Sequence, residues 1–236
     1  MSGVRLNLSH GTLKTNMKLI ERFKQAKRLR PHKTISVMLE ARGREIRLSN
    51  VNDPSGIIEI RSGQVFTLNC LNPSGISDHK TLYCNSDVIH RYIKPNDIVY
   101  FDDGKMVGVV LEILNEGAVM EVKVGGPIRS NSQIRFIGGT HNNLSLLHKR
   151  DISDLQAISQ HIGIDFFSLP FAAQGEDIRQ VREILGEGGA NIKILAKIDS
   201  IHGVENYEDI LYEADGMIFS RNELQWEIPS EKLMVA

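Results

Sequence analysis

The chain has 236 residues, 41% of them hydrophobic and 24% charged, with a formal net charge of −1. That balance excludes disordered, collagenous and membrane-embedded classes and leaves a folded protein with room for more than one domain. Near-neutral charge gives no broad basic footprint, so no nucleic-acid partner is expected. No apolar run approaches the ~18 residues of a membrane span, and Met1-Ser-Gly-Val-Arg5 lacks the features of a signal peptide. A cytoplasmic location with no membrane partner is therefore the expectation. Cys70 and Cys84 are the only cysteines, too few for a disulfide framework or a Cys₄ zinc site, and read as buried, idle thiols.

Val4, Leu6 and Leu8 alternate into a loop at Ser9-His10-Gly11, the pattern of a strand. Leu13, Met17, Ile20 and Phe23 then fall at helical spacing, and Pro31 marks where that helix stops. The basic run from Lys24 to Arg30 lies on this helix and reads as a solvated face. Thr34 to Leu39 is the next buried strand. Between about Ser49 and Gly139 short β-type runs alternate with Gly, Pro, Asn and Asp turns, with hairpins expected at Asp102-Asp103-Gly104 and Asn115-Glu-Gly117. Beyond residue 144 helices alternate with short strands. Asp151 is placed as a helix cap, Phe166 to Leu169 as a strand, and Ile178, Val181 and Leu185 as a helix face ended by Gly186. Ile192 to Ala196 is a strand, Val204, Tyr207 and Leu211 mark a helix, Met217 to Ser220 is a strand, and Pro229-Ser230 opens a last helix.

The expected organisation is two α/β segments, 1–47 and 141–236, flanking a β-rich insert at 48–140. Five strands in βα alternation suit either an open doubly wound sheet or part of a (β/α) barrel. In a barrel the chemistry sits at the carboxyl ends of the strands. Five polar clusters follow apolar runs: Arg5 to Gly11, Glu40 to Arg47, Asp102-Asp103-Gly104, Lys197-Ile-Asp199, and Ser220-Arg221-Asn222-Glu223. Alternation puts Lys197 and Asp199 on one side of their strand. Asp199 and Glu223 could together hold a divalent cation such as Mg²⁺, with Lys197 supplying charge where negative charge develops. Spacing alone equally describes a surface Lys–Asp pair and an unrelated Glu.

These pieces, in this order, resemble pyruvate kinase. Arg5-Leu-Asn7-Leu-Ser9-His10-Gly11 is similar to that family's R-L-N-F-S-H-G, and Asp102-Asp103-Gly104 matches its D-D-G. Asn191-Ile-Lys-Ile-Leu-Ala-Lys197-Ile-Asp199 resembles N-I-K-I-I-S-K-I-E. Gly216 to Pro229 resembles G-I-M-V-A-R-G-D-L-G-I-E-I-P. The resemblance implies a (β/α)₈ TIM barrel, here partial, interrupted after its third strand by an all-β lid domain. It implies phosphoryl transfer between phosphoenolpyruvate and ADP, giving pyruvate and ATP in glycolysis, with Mg²⁺ and K⁺. By position, Lys197 would be catalytic, and Arg5, Asn222 and Glu223 would bind substrate. Asn7 and His10 would meet nucleotide, Asp199 and Glu223 would take Mg²⁺, and Asn7, Ser9 and Glu40 would take K⁺.

Several positions depart from that pattern. The metal carboxylates are Asp199 then Glu223 where the family has Glu then Asp, so charge is kept and reach is altered. Ala41 stands for a Thr ligand and Asn222 for a Gly. Leu169-Pro-Phe-Ala172 replaces S-F-I-R, and the lid segment Ser130 to Gly138 keeps only Arg135 as a nearby cation. The matched span covers barrel strands two to six, so a barrel closed by this span alone is not expected. The expectation is weak or absent kinase activity. The alternative is an inactive relative acting as an interaction or regulatory subunit, an oligomer with itself or with a full-length relative.

Overall fold

The structure, a computed structural model, describes residues 2–87, 89–136, 146–147, 149–161, 163–229 and 231–233. It divides into two compact units, Met1–Arg44 with Ser145–Ala236, and Glu45–Leu144.

The chain enters through β1 (Gly3–Asn7). Thr12 then starts α1 (Leu13–Arg28) with a reciprocal cap. Its hydroxyl accepts from the Thr15 N–H at 3.2 Å, and the Thr15 hydroxyl accepts from the Thr12 N–H at 2.9 Å. Ile20 is fully buried, with Leu13, Met17 and Phe23 packed beside the same core. The basic run is largely the outer face, as its spacing predicts: Lys24 meets Glu21 at 2.8 Å, and Lys27 Nζ caps the Ile35 carbonyl at 2.9 Å. β2 (Ser36–Glu40) pairs parallel with β1, in a register ending at Asn7 against Glu40.

The second unit is all β. It comprises β3 (Ile46–Arg47), β4 (Ile57–Ile60), β5 (Val65–Asn69), β6 (Thr81–Tyr83), β7 (Ile98–Phe101), β8 (Met106–Leu114), β9 (Gly117–Val124), β10 (Gly126–Arg129) and β11 (Gln133–Phe136). Seven of these form one sheet, in the order β3-β11-β7-β8-β9-β5-β6, and β10 pairs separately with β4. Alternation buries Phe66, Leu68, Val99, Phe101, Met106 and Met120 in one core. Both expected hairpins form. Asp102, Asp103 and Gly104 take φ values of 49°, 58° and 84° to turn β7 into β8. At the β8–β9 turn Gly117 has φ 158°, and a Cβ there would run into the Leu68 carbonyl of β5. Only glycine lets β9 lie this close. Unlike the hairpins, β5 and β6 run parallel, because the connection between them crosses over.

The chain returns through α2 (Lys149–Ser159), β12 (Phe166–Leu169), α3 (Gly175–Leu185), β13 (Lys193–Ile198), α4 (Ile201–Glu205), α5 (Tyr207–Glu213), β14 (Gly216–Phe219) and α6 (Arg221–Leu224). The parallel sheet has the order β1-β2-β12-β13-β14. Each crossover moves one place in the same direction. A doubly wound sheet must reverse its order at a switch point; this one never does. The fold is therefore a partial (β/α)₈ barrel.

Local expectations fail in three places. Val204, Tyr207 and Leu211 do not share one helix. Asn206, at φ −107° and ψ 19°, breaks it into α4 and α5 while its side-chain amide donates to the Ala173 carbonyl at 2.8 Å. Ile210 is then the buried residue and Leu211 is half exposed. Asp151 lies inside the first turn of α2 rather than capping it, because its carboxylate is held by Arg42 at 3.0 Å. The polar cluster at Arg221 to Glu223, given no secondary structure in the sequence, forms α6. After Pro229 the described residues 231–233 form a turn rather than a helix; Ser230 and residues 234–236 lie outside the described residues, as do Ile137 and Gly138 of the lid segment.

Candidate active site

The carboxyl ends of the parallel strands converge because the register is unstaggered there: Asn7 lies beside Glu40, and Glu40 beside Ser168. β12 and β13 continue with Leu169 beside Ala196. Residues with outward apolar alternation upstream thus deliver polar side chains to one rim. Glu40 is its hub. The carboxylate is almost fully buried, with Arg5 Nη1 at 3.2 Å from Oε2 and Lys197 Nζ at 3.5 Å from Oε1. Asn7 Nδ2 donates to Oε1 at 3.5 Å. Lys197 also sits 3.7 Å from Asp199 Oδ2, so the two side chains do share one face of β13, as alternation predicts. A buried carboxylate is tolerable only with partners of this kind.

Asp199 is anchored from the other side. Its side chain has no solvent exposure, and Oδ1 accepts the Phe171 N–H at 2.8 Å. Phe171 reaches that position only by adopting φ 58°, a left-handed conformation that a bulky residue rarely takes and that costs about 1–3 kcal/mol. The strain is concentrated beside the site's most buried carboxylate. Gly43, with φ 64°, lets the loop after β2 pass against Pro170 and Phe171, where a Cβ would come within 3.0 Å of Pro170 Cγ. On the same loop Arg42 Nη1 bridges Asp151 at 3.0 Å and Asp154 at 2.6 Å, tying the loop to α2.

Arg44 adds a cation that the sequence motifs do not signal. It is only 7% exposed, its Nε and Nη1 have no hydrogen-bond partner among the described residues, and it lies in the field of Asp177 and Asp199. Burial pushes its guanidinium below the ordinary Arg value, and the two carboxylates pull it partly back.

Arg5, Asn7, Glu40, Lys197 and Asp199 are thus brought together. The other candidates have their own settings. Ser9 belongs to the turn after β1, its N–H bonded to Asn7 Oδ1 at 2.7 Å. His10 is exposed, and its carbonyl accepts Asn16 Nδ2 at 3.2 Å. Asn222 is exposed on α6 and Glu223 is half-buried in the same turn. Asp102-Asp103-Gly104 is a hairpin turn of the β unit, and Arg135 is buried in β11 rather than displayed as a cation. Sequence reasoning missed Arg44, the Phe171 N–H and the bridging role of Glu40. Glu40 left a signal, as a carboxylate that directly follows an apolar run.

The donor chemistry separates the two candidate metals. Asp199 and Glu223 are hard oxygen donors of the type that Mg²⁺ takes from proteins, one or two at a time, with water and substrate completing its shell. For K⁺ the set is short. Asn7 Oδ1 already accepts from Ser9, both Glu40 oxygens already face internal cations, and Ala41 brings no side-chain oxygen. Those residues do not fit a monovalent cation in this arrangement. Among the described residues no three His, Cys, Asp or Glu side chains form a metal cage, and no helix is long and apolar enough to cross a membrane.

A parallel sheet wound in one direction, with a buried Lys–carboxylate cluster at the strand ends, defines a barrel-type α/β protein. Residues 1–236 match the family described as pyruvate kinase, barrel domain, and the chain belongs to that family. It is 32% identical to pyruvate kinase of Agaricus bisporus over 238 residues, covering 99% of this chain and 44% of that protein. With the Eimeria tenella pyruvate kinase it shares 28% identity, covering 100% and 44%. The crystal structure of Cryptosporidium parvum pyruvate kinase superposes with a TM-score of 0.92 at 28% identity, covering all of this chain and 49% of that one. The same protein in complex with ADP gives 0.86 at 29% identity, covering all of this chain and 47% of that one. The chain thus spans less than half the length of the relatives it matches.

Proposed function

We propose that this chain carries part of the site for phosphoryl transfer between phosphoenolpyruvate and ADP. The observation that carries the reading is the Arg5–Glu40–Lys197–Asp199 chain of contacts at the strand ends. Lys197 Nζ would present its charge to the transferring phosphoryl group, held in place by Glu40 and Asp199 rather than by solvent. Arg5, whose side chain is 57% exposed, would release Glu40 to take a phosphate, since a guanidinium donates two parallel hydrogen bonds. Asp199 and Glu223 would hold Mg²⁺, which supplies positive charge against the oxygens of the transferring group. Asn222 and Glu223 would flank the substrate, and Asn7 and His10 would meet the nucleotide.

A second reading is an inactive relative that pairs with itself or with a longer family member in the cytoplasm. It is favoured by Arg44, a buried cation in the field of Asp199, and by Glu40 being already neutralised from both sides. Two measurements separate the readings. Pyruvate formation by the isolated chain is expected far below the usual kinase range of about 1–100 s⁻¹. Saturable binding of phosphoenolpyruvate with Mg²⁺, lost in Lys197→Met, supports the site; no binding at millimolar ligand rejects it and leaves the interaction role.

A further inference from the structure

The β unit brings its two cysteines into contact, although 13 residues separate them in sequence. Asn69 and Tyr83 are paired in the parallel β5–β6 register, so Cys70 and Cys84 are the next rung, and the Cys84 N–H bonds the Asn69 carbonyl at 3.1 Å. Their sulfurs lie 3.6 Å apart, and neither residue is exposed. Neighbouring strands run about 4.8 Å apart, inside the Cα range of roughly 4.4–6.8 Å that disulfides occupy. Closing the bond needs a sulfur movement of only about 1.5 Å. Both thiols remain free in the structure.

We propose that Cys70 and Cys84 form a reversible oxidation site, closing an intramolecular disulfide across β5 and β6 by exchange with a low-molecular-weight disulfide. The two sulfurs already differ in character. The Cys70 S–H leaning on Cys84 pushes the Cys84 thiol below its ordinary value, and the same contact, with burial, pushes Cys70 up. Because both sulfurs are buried, exchange runs through local opening of the edge strand β6; Cys84 then attacks as thiolate, breaking the S–S bond of the small disulfide and releasing one thiolate. Cys70 then gives up its proton, attacks Cys84 Sγ in the mixed disulfide, and releases the second. The two protein sulfurs lose two electrons together, the small disulfide gains both, and the two thiol protons leave on its halves. The bond fastens the crossover 71–80 at its base. This assignment is independent of the proposed function, since it rests on the β unit alone.

Equilibrating the full chain in glutathione redox buffers, native and in urea, tests it by acid quench, alkylation and peptide mapping. The native chain is expected to lose both alkylatable thiols together and to yield a Cys70–Cys84 linked peptide. The bond should persist to at least tenfold more reducing buffer than in the unfolded chain, because folding holds the sulfurs in contact. Cys70→Ser should instead stop at one bound glutathione on Cys84. An equal or reversed midpoint between folded and unfolded chain overturns the proposal. So does a wild-type chain that stops at a glutathione adduct or links between molecules.

Discussion

The two units place charge differently. In the α/β unit the buried residues include Glu40, Arg44, Asp151, Asp154, Asp177 and Asp199, whereas among the described residues of the β unit Arg135 is the one buried charge. Burying a charge is unfavourable unless its partners are in place, so the α/β unit depends on matched charges rather than on packing alone. The β unit stakes its stability on shape: alternating apolar side chains, close strands and a glycine where no Cβ fits. The contrast separates a scaffold held by packing from one held by mutual neutralisation, and each can be broken in its own way.

The largest effect is expected from Gly117→Ala. The added methyl meets the Leu68 carbonyl, so β9 must leave β5, and a loss above about 4 kcal/mol should appear in urea unfolding of the β unit. A loss under about 1 kcal/mol would show that shape does not govern this unit. Next comes Glu40→Ala, which takes one carboxylate from Lys197, leaves it Asp199 alone, and should cost about 1–3 kcal/mol. If Glu40→Ala were nearly neutral, the hub would be an exposed pair in disguise.

Two smaller changes sharpen the picture. Thr12→Ala removes one half of the reciprocal cap of α1 and should cost about 1 kcal/mol in thermal or urea unfolding. Asp215 gives the pH dependence. Burial raises its carboxyl, but the Ile194 N–H, Lys193 and Arg182 outweigh burial and hold it below the ordinary range. A depressed carboxylate contributes stability above its unfolded value of about 3.9 and loses it as pH falls through the folded value. Asp215→Asn should cost about 0.5–1 kcal/mol at neutral pH, as suits a solvent-screened cluster, and flatten the acid limb below about pH 4. An unchanged acid limb would assign that sensitivity elsewhere.

Much of this was legible in the sequence because periodicity reports burial. Leu13 to Phe23, the hairpin at Asp102 to Gly104, and the pairing of Lys197 with Asp199 all follow from spacing. What spacing could not reach was set by distant contacts. Asn206 breaks a helix because Ala173 offers it a carbonyl, and Asp151 serves Arg42, more than a hundred residues away. Arg44 follows no periodic rule. Phe171 is hidden for a further reason: a left-handed phenylalanine violates local preference, and only the Asp199 carboxylate explains it.

The pairing of β3 with β11 bears on how the chain folds. Val37 and Asp165 are hydrogen-bonded across 128 residues of sequence, a separation that would ordinarily slow assembly of a parallel pair. Yet the insert's entry strand, Ile46–Arg47, and exit strand, Gln133–Phe136, are neighbours in its own sheet. Once the insert has folded, β2 and β12 are joined through residues 41–45 and through 137–165, which carry α2, instead of by one long open loop. Their search for register then resembles that of consecutive βαβ strands, because the intervening domain acts as a clasp rather than as slack.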